Sequence, residues 1–313
     1  MATYYLYGTV LTGEAVAANN RGDNMGNITT LQKVFLEDDV HTSVSAEAIR
    51  FAIRYRFQME QLPVNRKYID GKLIYEDEKR TYLAESLENI LIDDDLMGYM
   101  DAAAAKAEKE DEEGKSNGKK AKGKATKRQS PLAVSRAVSL RPYRGELSFN
   151  AVSGEKEKGK LSLYGAEMHT TEYQYSFGLN LNDVVVKEHI GHFIDAIADM
   201  PPVAGNHSRF AYDFSPASIV LRVTRAHSPK IQQCFVHDEE TRGYRIDRLL
   251  RKVESGDIPA TEIIVGGEVS DTSGGLRLRE LGVYCSRGVV EAMNEAKRRI
   301  AALDEAFAVL NQT

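Results

Sequence analysis

An α+β sandwich, one sheet covered by helices in the manner of the split βαβ ferredoxin-like arrangement, is the fold class that this 313-residue sequence predicts. Two observations predict it. Strand-like segments are separated by single helix-like ones along the chain, and one segment, HTTEYQYSFGLNL, alternates Tyr173, Tyr175, Phe177, Leu179 and Leu181 with polar residues. The apolar fraction of 42% is ordinary, so a chain of this length can bury a real core.

The first element, TYYLYGTVLT at 3–12, is rich in Tyr, Val, Thr and Leu and reads as a strand; its imperfect alternation predicts burial on both faces. NNRGDNMGN, dense in Asn, Gly and Asp, reads as a loop. From Ser45 the period changes, and Val44, Ala48, Phe51, Ala52 and Tyr55 predict a helix stripe, with Arg50, Arg54 and Gln58 four apart on another face. Between Lys67 and Tyr99 a strand-and-turn region is expected, with Asp70-Gly71 as a hairpin turn and YLAESLENIL as helix or strand. Residues 101–130 change character to Ala, Glu, Lys and Gly, with almost nothing to bury, and predict a flexible charged insertion in a single domain spanning 1–313. Beyond the alternating strand, Ile190, Phe193, Ile194 and Ile197 form the stripe of a short helix ended by Pro201-Pro202. ASIVLRVTRA reads as strand, GYRIDRLLRKVES as helix and TEIIVGGEV as strand. A long final helix carries Val289, Met293, Ala296, Ile300, Leu303 and Phe307 on one stripe.

Composition excludes several classes. Cys234 and Cys285 stand far apart with no paired-cysteine spacing, so neither a disulfide framework nor a zinc knuckle is indicated, and two stray buried thiols are expected. The opening MATYYLYGTV lacks a secretory pattern and no run approaches a bilayer span, so a cytoplasmic protein with no membrane partner is expected. A formal charge of −5 argues against nucleic acid coating every face; any such site must be local.

No familiar catalytic motif stands up. GKS at 114–116 looks like the end of a phosphate-binding loop, but Lys109 stands where that motif needs its first Gly. There is no G-x-S-x-G elbow, no H-E-x-x-H and no G-x-G-x-x-G after a strand. His189, His192 and Asp195 recur three apart on one helix, which suits ligands of one metal, yet no fourth ligand is suggested and a solvated face opposite the isoleucines explains them as well. Neither a metal nor a cofactor is expected. Asp23, within NNRGDNMGN, is free to approach a divalent ion or a phosphate, but turn chemistry, which Asn, Asp and Gly favour, is the stronger explanation. The basic run from Lys115 to Arg128 attracts phosphate or serves as a solvated linker. Most informative are SRAVSLRPYRG, GNHSR and HTSVSAEAIRFAIR, where Arg and His mix with hydroxyls, amides and Gly. Such mixtures suit a ribose-phosphate track, with structural ion pairing as the competing explanation.

Those segments resemble the DevR branch of the CRISPR-associated Cas-seven family, RAMP-superfamily backbone subunits of type I-B Cascade complexes. The likeness runs through GNITTLQKVFLEDDVHTSVSAEAIRFAIR, SPLAVSRAVSLRPYRGELSFNA, HTTEYQYSFGLNL and GNHSRFAYDFSPASIVLR, most of the chain outside the insertion. The resemblance implies an RRM-like (ferredoxin-like) palm with inserted finger and thumb elements. It also implies a non-enzymatic role: copies of the chain stack head to tail along a CRISPR RNA, hold its backbone, and leave its bases free to pair with target DNA. Further implied partners are other Cascade subunits of the Cas-five, Cas-six, Cas-eight and small-subunit types, and transposition proteins where the complex guides a transposon rather than antiviral defence. Such a filament can bury acidic surface against a neighbour's basic surface, which reconciles the negative charge with RNA binding. No RNP1-like aromatic element is present on any candidate strand, so base stacking is not the implied mode. By position in the matching blocks, the implied RNA contacts are Arg21, Asn27, His41, Ser45, Arg50, Arg54, Arg136, Ser139, Arg141, His169, Asn206, His207 and Arg209. Arg50 and Arg54 lie one helical turn apart, as adjacent phosphate contacts would.

Two rival readings remain. Related type III backbone subunits cut target RNA with a loop aspartate, so a metal-dependent ribonuclease using Asp23 is one. The other is an interaction protein assembling through its C-terminal helix without RNA, which salt would weaken far less than phosphate contacts.

Overall fold

Strand β1 (Tyr5–Thr12) is buried at every position but its first, which accounts for its imperfect alternation: a strand covered on both faces has no polar side. The structure is a computed structural model describing residues 3–18, 21–36, 38–84, 86, 89–100, 127–151, 163–205 and 211–310. At Arg21, Asp23, Ala84, Asn150, Ala151, Leu163 and 304–310 it describes the backbone alone.

The Asn-rich stretch expected as a loop is largely strand. After β2 (Ala15–Ala17), β3 (Arg21–Met25) and β4 (Ile28–Leu31) form a hairpin turning at Gly26, whose φ is +62°. Local composition shows only the turn; the strand partner of β4 arrives from β14 (Leu163–Thr171), with Gly165 N donating to Asn27 O at 2.9 Å. β5 (Lys33–Leu36) and β6 (Asp39–Val44) make a second hairpin.

Helix α1 (Ala46–Met59) begins where expected, with Ser45 Oγ accepting from Ala48 N at 3.2 Å. Its stripe is rotated from the expected one: Ile49, Ala52, Ile53 and Phe57 are buried, while Phe51 is exposed. Both sets fit helical spacing, and the aliphatic set won the core. Asp70 (φ +51°) and Gly71 (φ +76°) turn the hairpin of β7 (Arg66–Ile69) and β8 (Lys72–Tyr75), since this tight turn needs positive φ at both central residues. YLAESLENIL opens with a 3₁₀ turn, and α2 (Ile92–Met97) follows it. β9 (Tyr99–Met100) pairs with β10 (Lys127–Arg128), so strand pairing closes the far end of the expected insertion; 101–126 lie outside the described residues.

The remaining strands are β11 (Leu132–Val134), β12 (Ala137–Ser139), β13 (Glu146–Ala151), β15 (Tyr173–Asn180), β16 (Pro216–Thr224), β17 (Val236–Asp238), β18 (Gly243–Arg245), β19 (Ile263–Gly267) and β20 (Tyr284–Ser286). The helices are α3 (Glu188–Ala198), α4 (Asp247–Glu254), α5 (Ser273–Glu280) and α6 (Val289–Leu310). Helix α3 buries the four expected apolar residues, and α6 buries Met293, Ala296 and Ile300 of its stripe, with Phe307 outside the described side chains. Helix α5 was not anticipated: Gly274 and Gly275 depress helix propensity, but Gly275 lets the helix pass against the Val269 and Ser270 backbone, which a Cβ would strike at 2.3 Å.

The result is a mixed α/β architecture of several sheets and, among the described residues, six helices. The largest sheet runs β20-β19-β16-β1-β15-β12-β6-β5, with β11 also on β15. Alternate residues of its central strands feed two cores. Leu6, Val10, Tyr173, Tyr175, Phe177 and Ile219 pack under α1, α3 and α6, whereas Tyr7, Leu11, Val220 and Val265 pack under α4 and α5. Cys234 is buried and Cys285 half-buried, both as free thiols. No helix among the described residues is long and apolar enough to cross a membrane.

Candidate nucleic-acid interface

On the α4 side of the large sheet, where the helical cover stops short of β6 and β12, lies a cleft of about 800 Å³. Its floor comes from His41, Val138, Ser139, Gln174 and Ser176; its far wall from Gln232, Gln233, Phe235 and His237; its rim carries Arg136 and Arg248 beside Asp39 and Glu239.

Short β12 creates this geometry. It pairs with β6 through Ala137 and Val138 and with β15 through Val138 and Ser139, bringing together segments far apart in the chain. His41 Nδ1 reaches Ser139 O at 2.7 Å, and Ser139 Oγ accepts from Thr42 N at 3.1 Å while donating to Arg141 O at 2.8 Å. The exposed Arg136 guanidinium donates to Ser43 Oγ at 3.0 Å and Gln32 Oε1 at 3.2 Å, both neutral partners. Gln174 clamps the far wall, donating to Phe235 O at 3.3 Å and accepting from Phe235 N at 3.0 Å.

Behind the floor sits a charged node. Arg141 holds Glu14 with both terminal nitrogens, at 2.6 and 2.5 Å, and its Nε stands 3.1 Å from fully buried Glu172. His237 Nδ1 lies 3.6 Å from the other Glu172 oxygen, linking the β17–β18 hairpin to the start of β15. Burial opposes the Arg141 charge, but Glu14 and Glu172 outweigh it and hold its pKa above the usual value. Burial pushes Glu172 up, with Arg141 pulling the other way.

Of the residues expected to touch RNA, His41, Arg136 and Ser139 line the cleft. Arg141 and His169 stand behind it. His169 is 2% exposed, bonded to Thr42 Oγ1 at 2.8 Å and packed edge-on to Tyr143; burial pushes its pKa down to about 4, so its ring is neutral at neutral pH. Ser45, Arg50 and Arg54 belong to α1, on the opposite face of the sheet. Ser45 caps the helix, Arg50 donates to Leu132 O and Met97 O at 2.9 Å each, and Arg54 Nε pairs with Asp93 at 3.2 Å. Asn27 is exposed in the β3–β4 turn, and Arg21 pairs through its backbone with Leu31. The side chains of Arg21 and Asp23, and all of Asn206, His207 and Arg209, lie outside the described residues.

The face of α3 with His189, His192 and Asp195 is not uniformly solvated, as the bland reading had it, and its side chains diverge. His189 is buried with Nδ1 2.9 Å from Asp95 Oδ2, while Asp195 turns to Lys297 at 2.5 Å. A buried carboxylate supplied by α2 is a partner that helical periodicity cannot show.

Gln174, Gln232, Gln233, His237 and Arg248 line the cleft without having been singled out. A signal existed for one: Gln174 and Ser176 are the polar half of an alternating strand, and both are buried, which marks that face as covered.

A family model described as CRISPR-associated negative auto-regulator DevR/Csa2 matches residues 10–311. A CRISPR-associated protein Cas7/Cst2/DevR of Myxococcus xanthus (strain DK1622) is 40% identical over 306 residues, covering 95% of this chain and 97% of that protein. Among solved structures, a chain of a CRISPR RNA-guided surveillance complex, pre-nicking, superposes with a TM-score of 0.53 over 89% of this chain and 99% of its own length, at 14% identity. At that identity the likeness is one of fold.

Proposed function

The chain belongs to the DevR/Csa2 family of CRISPR-associated proteins, and on that premise we propose that it is the CRISPR RNA-binding backbone subunit of a type I-B Cascade surveillance complex. It works in the cytoplasm and is non-catalytic: successive copies assemble head to tail along the guide, which pairs with target DNA, and other Cascade subunits close the ends. The observation that carries this reading is convergence at one cleft. His41 and Ser139, 98 residues apart and drawn from different family-like blocks, meet there within hydrogen-bonding distance, beside Gln174 of a third block.

The chemistry of the cleft suits the task. A guide is held by sugar and phosphate so that its base edges stay free, and hydroxyl, amide and guanidinium donors do this without reading sequence. An RRM-like palm is supported by the order β16-β1-β15-β12, antiparallel throughout, with α1 joining β1 towards β12 and α3 joining β15 to β16. The separate β3–β4–β14–β13 sheet and the β7–β8 hairpin are the candidates for thumb and finger.

The test is to co-express the chain with a matching CRISPR array, purify it at moderate salt and digest the bound RNA with nuclease. A protection ladder of even period is expected. Absence of RNA, or one short protected block, overturns the reading. An Asp23→Ala variant keeps the ladder; loss of a target-cutting activity in that variant would instead establish the ribonuclease.

A further inference from the structure

We propose that the outer side of α1 and the facing side of the β7–β8 hairpin form a second nucleic-acid site, where an unpaired base stacks on the Phe51 ring and meets Tyr68 edge-on, and Arg66 takes its phosphate. The site goes beyond guide binding in the cleft, because α1 covers the opposite face of the central sheet.

The aromatic part is built and held. Phe51 and Tyr55, one turn apart, lie with rings parallel to 6° and centroids 6.1 Å apart, and Tyr68 meets Phe51 edge-on at 5.3 Å. Phe51 remains 39% exposed and Tyr68 41%. The hairpin is pinned against the helix by Gln58, which donates to Tyr68 O at 2.9 Å and accepts from Tyr68 N at 2.7 Å. Ordering the rings before binding removes part of the entropic cost of stacking.

The charged part adjoins it. Strand alternation places Arg66 on the same hairpin face as Tyr68, two residues away, or about 7 Å. Arg66 Nε is buried and finds no hydrogen-bond acceptor among the described residues. Its surroundings are already cationic: burial, and then the nearby Arg66 charge, weaken the protonation of Arg50, and Arg66 also opposes that of Arg54. Against these three guanidiniums stand, among the described residues, Asp93, which pairs with Arg54, and Glu47 one turn before Arg50; Asp94, beside Asp93, is paired with Arg80. An apolar protein surface would satisfy the rings and leave this positive excess buried and unpaired, at a cost. A single strand of nucleic acid satisfies both, because each nucleotide offers a π-face and an anion.

The experiment uses the full chain, purified with any guide RNA it carries, and a short oligothymidylate containing 5-iodouracil. Binding is followed by fluorescence anisotropy, and photo-crosslinks are mapped by mass spectrometry. Crosslinks at Phe51, Tyr55 or Tyr68 are expected. Tyr68→Ala and Phe51→Ala should each weaken binding about tenfold, Tyr68→Phe should preserve it, and Arg66→Gln should weaken it and flatten its salt dependence. All three positions are partly or well exposed, so folding is expected to survive. Crosslinks confined to cleft residues overturn the second site while leaving guide binding intact, and unchanged affinity in both Ala variants overturns it too. So does dispersal of a self-assembled oligomer by those variants with oligonucleotide affinity unaltered, which would make the patch a protein contact. The guide-protection ladder should persist in Phe51→Ala; its loss, with no crosslink at the rings, counts against the second site.

Discussion

Replacing Asp95 by Ala should unfold the chain more readily than any single change at its surface. Asp95 is 0% exposed and its two oxygens serve four donors: Arg128 Nη2 at 2.7 Å, Val185 N at 3.0 Å, Val186 N at 3.1 Å and His189 Nδ1 at 2.9 Å. One carboxylate thereby joins α2, the strand closing residues 101–126, the turn before α3, and α3 itself. Burial opposes its charge, but these donors outweigh burial and hold its pKa below the usual carboxylate range. In Asp95→Ala two peptide N–H groups and the His189 ring lose their acceptor in a place water reaches poorly, and the Arg128 guanidinium, still bonded to Asp183 O, loses its counter-charge. Breaking a buried pair of this kind costs about 3–5 kcal/mol, a large share of the ~5–15 kcal/mol that typically holds a domain together. Asp95→Asn should lose nearly as much, since its amide N–H₂ faces donors. Asp195→Ala, which removes a half-exposed pair with Lys297, should cost no more than about 1 kcal/mol. Urea unfolding followed by circular dichroism compares the three, and hydrogen exchange at the Val185 and Val186 amides reports the site directly. A loss below about 1 kcal/mol for Asp95→Ala, or unchanged protection of those amides, would refute the assignment of Asp95 as the central anchor.

His169 predicts acid sensitivity. Its folded pKa of about 4 lies below the ordinary 6.5, so the unfolded chain takes up a proton first, and stability falls as pH drops from 6.5 towards 4, by about 3 kcal/mol. Urea midpoints measured across that window should fall less steeply in His169→Asn; an equal slope would mean other groups control it. Gly8→Ala should cost about 1–3 kcal/mol by overpacking, because its Cβ would sit 2.2 Å from the Phe177 ring. Thermal melts should show partial recovery when Phe177→Leu is added, and no recovery would place the strain elsewhere. At the charged node the two partners should differ. Arg141→Ala strands the buried Glu172 charge and should cost about 3 kcal/mol or more, whereas Glu172→Gln removes that charge and should cost much less. Equal losses in melting experiments would refute this asymmetry.

Much of the fold was legible from local pattern because periodicity is a local property. The buried β1, the alternating β15, the Ile190–Ile197 stripe of α3 and the Asp70-Gly71 turn each follow from a few neighbouring residues. Family membership was legible too, from long ordered blocks. Tertiary structure decided what depends on partners distant in sequence. The Asn-rich segment became strand because it pairs with β4, which β14 holds in turn, and α1 turned Ile49 and Ile53 inward, leaving Phe51 and Tyr55 to the hairpin. His41 and Ser139 share a cleft only because β12 inserts between β6 and β15. Arg54, Arg141 and His189 face Asp93, Glu172 and Asp95, acids that no spacing rule connects to them. A sequence states which residues carry charge and which prefer burial; where a charge finds its counter-charge depends on long-range chain pairing, because only that pairing sets the distances over which charges and hydrogen bonds act.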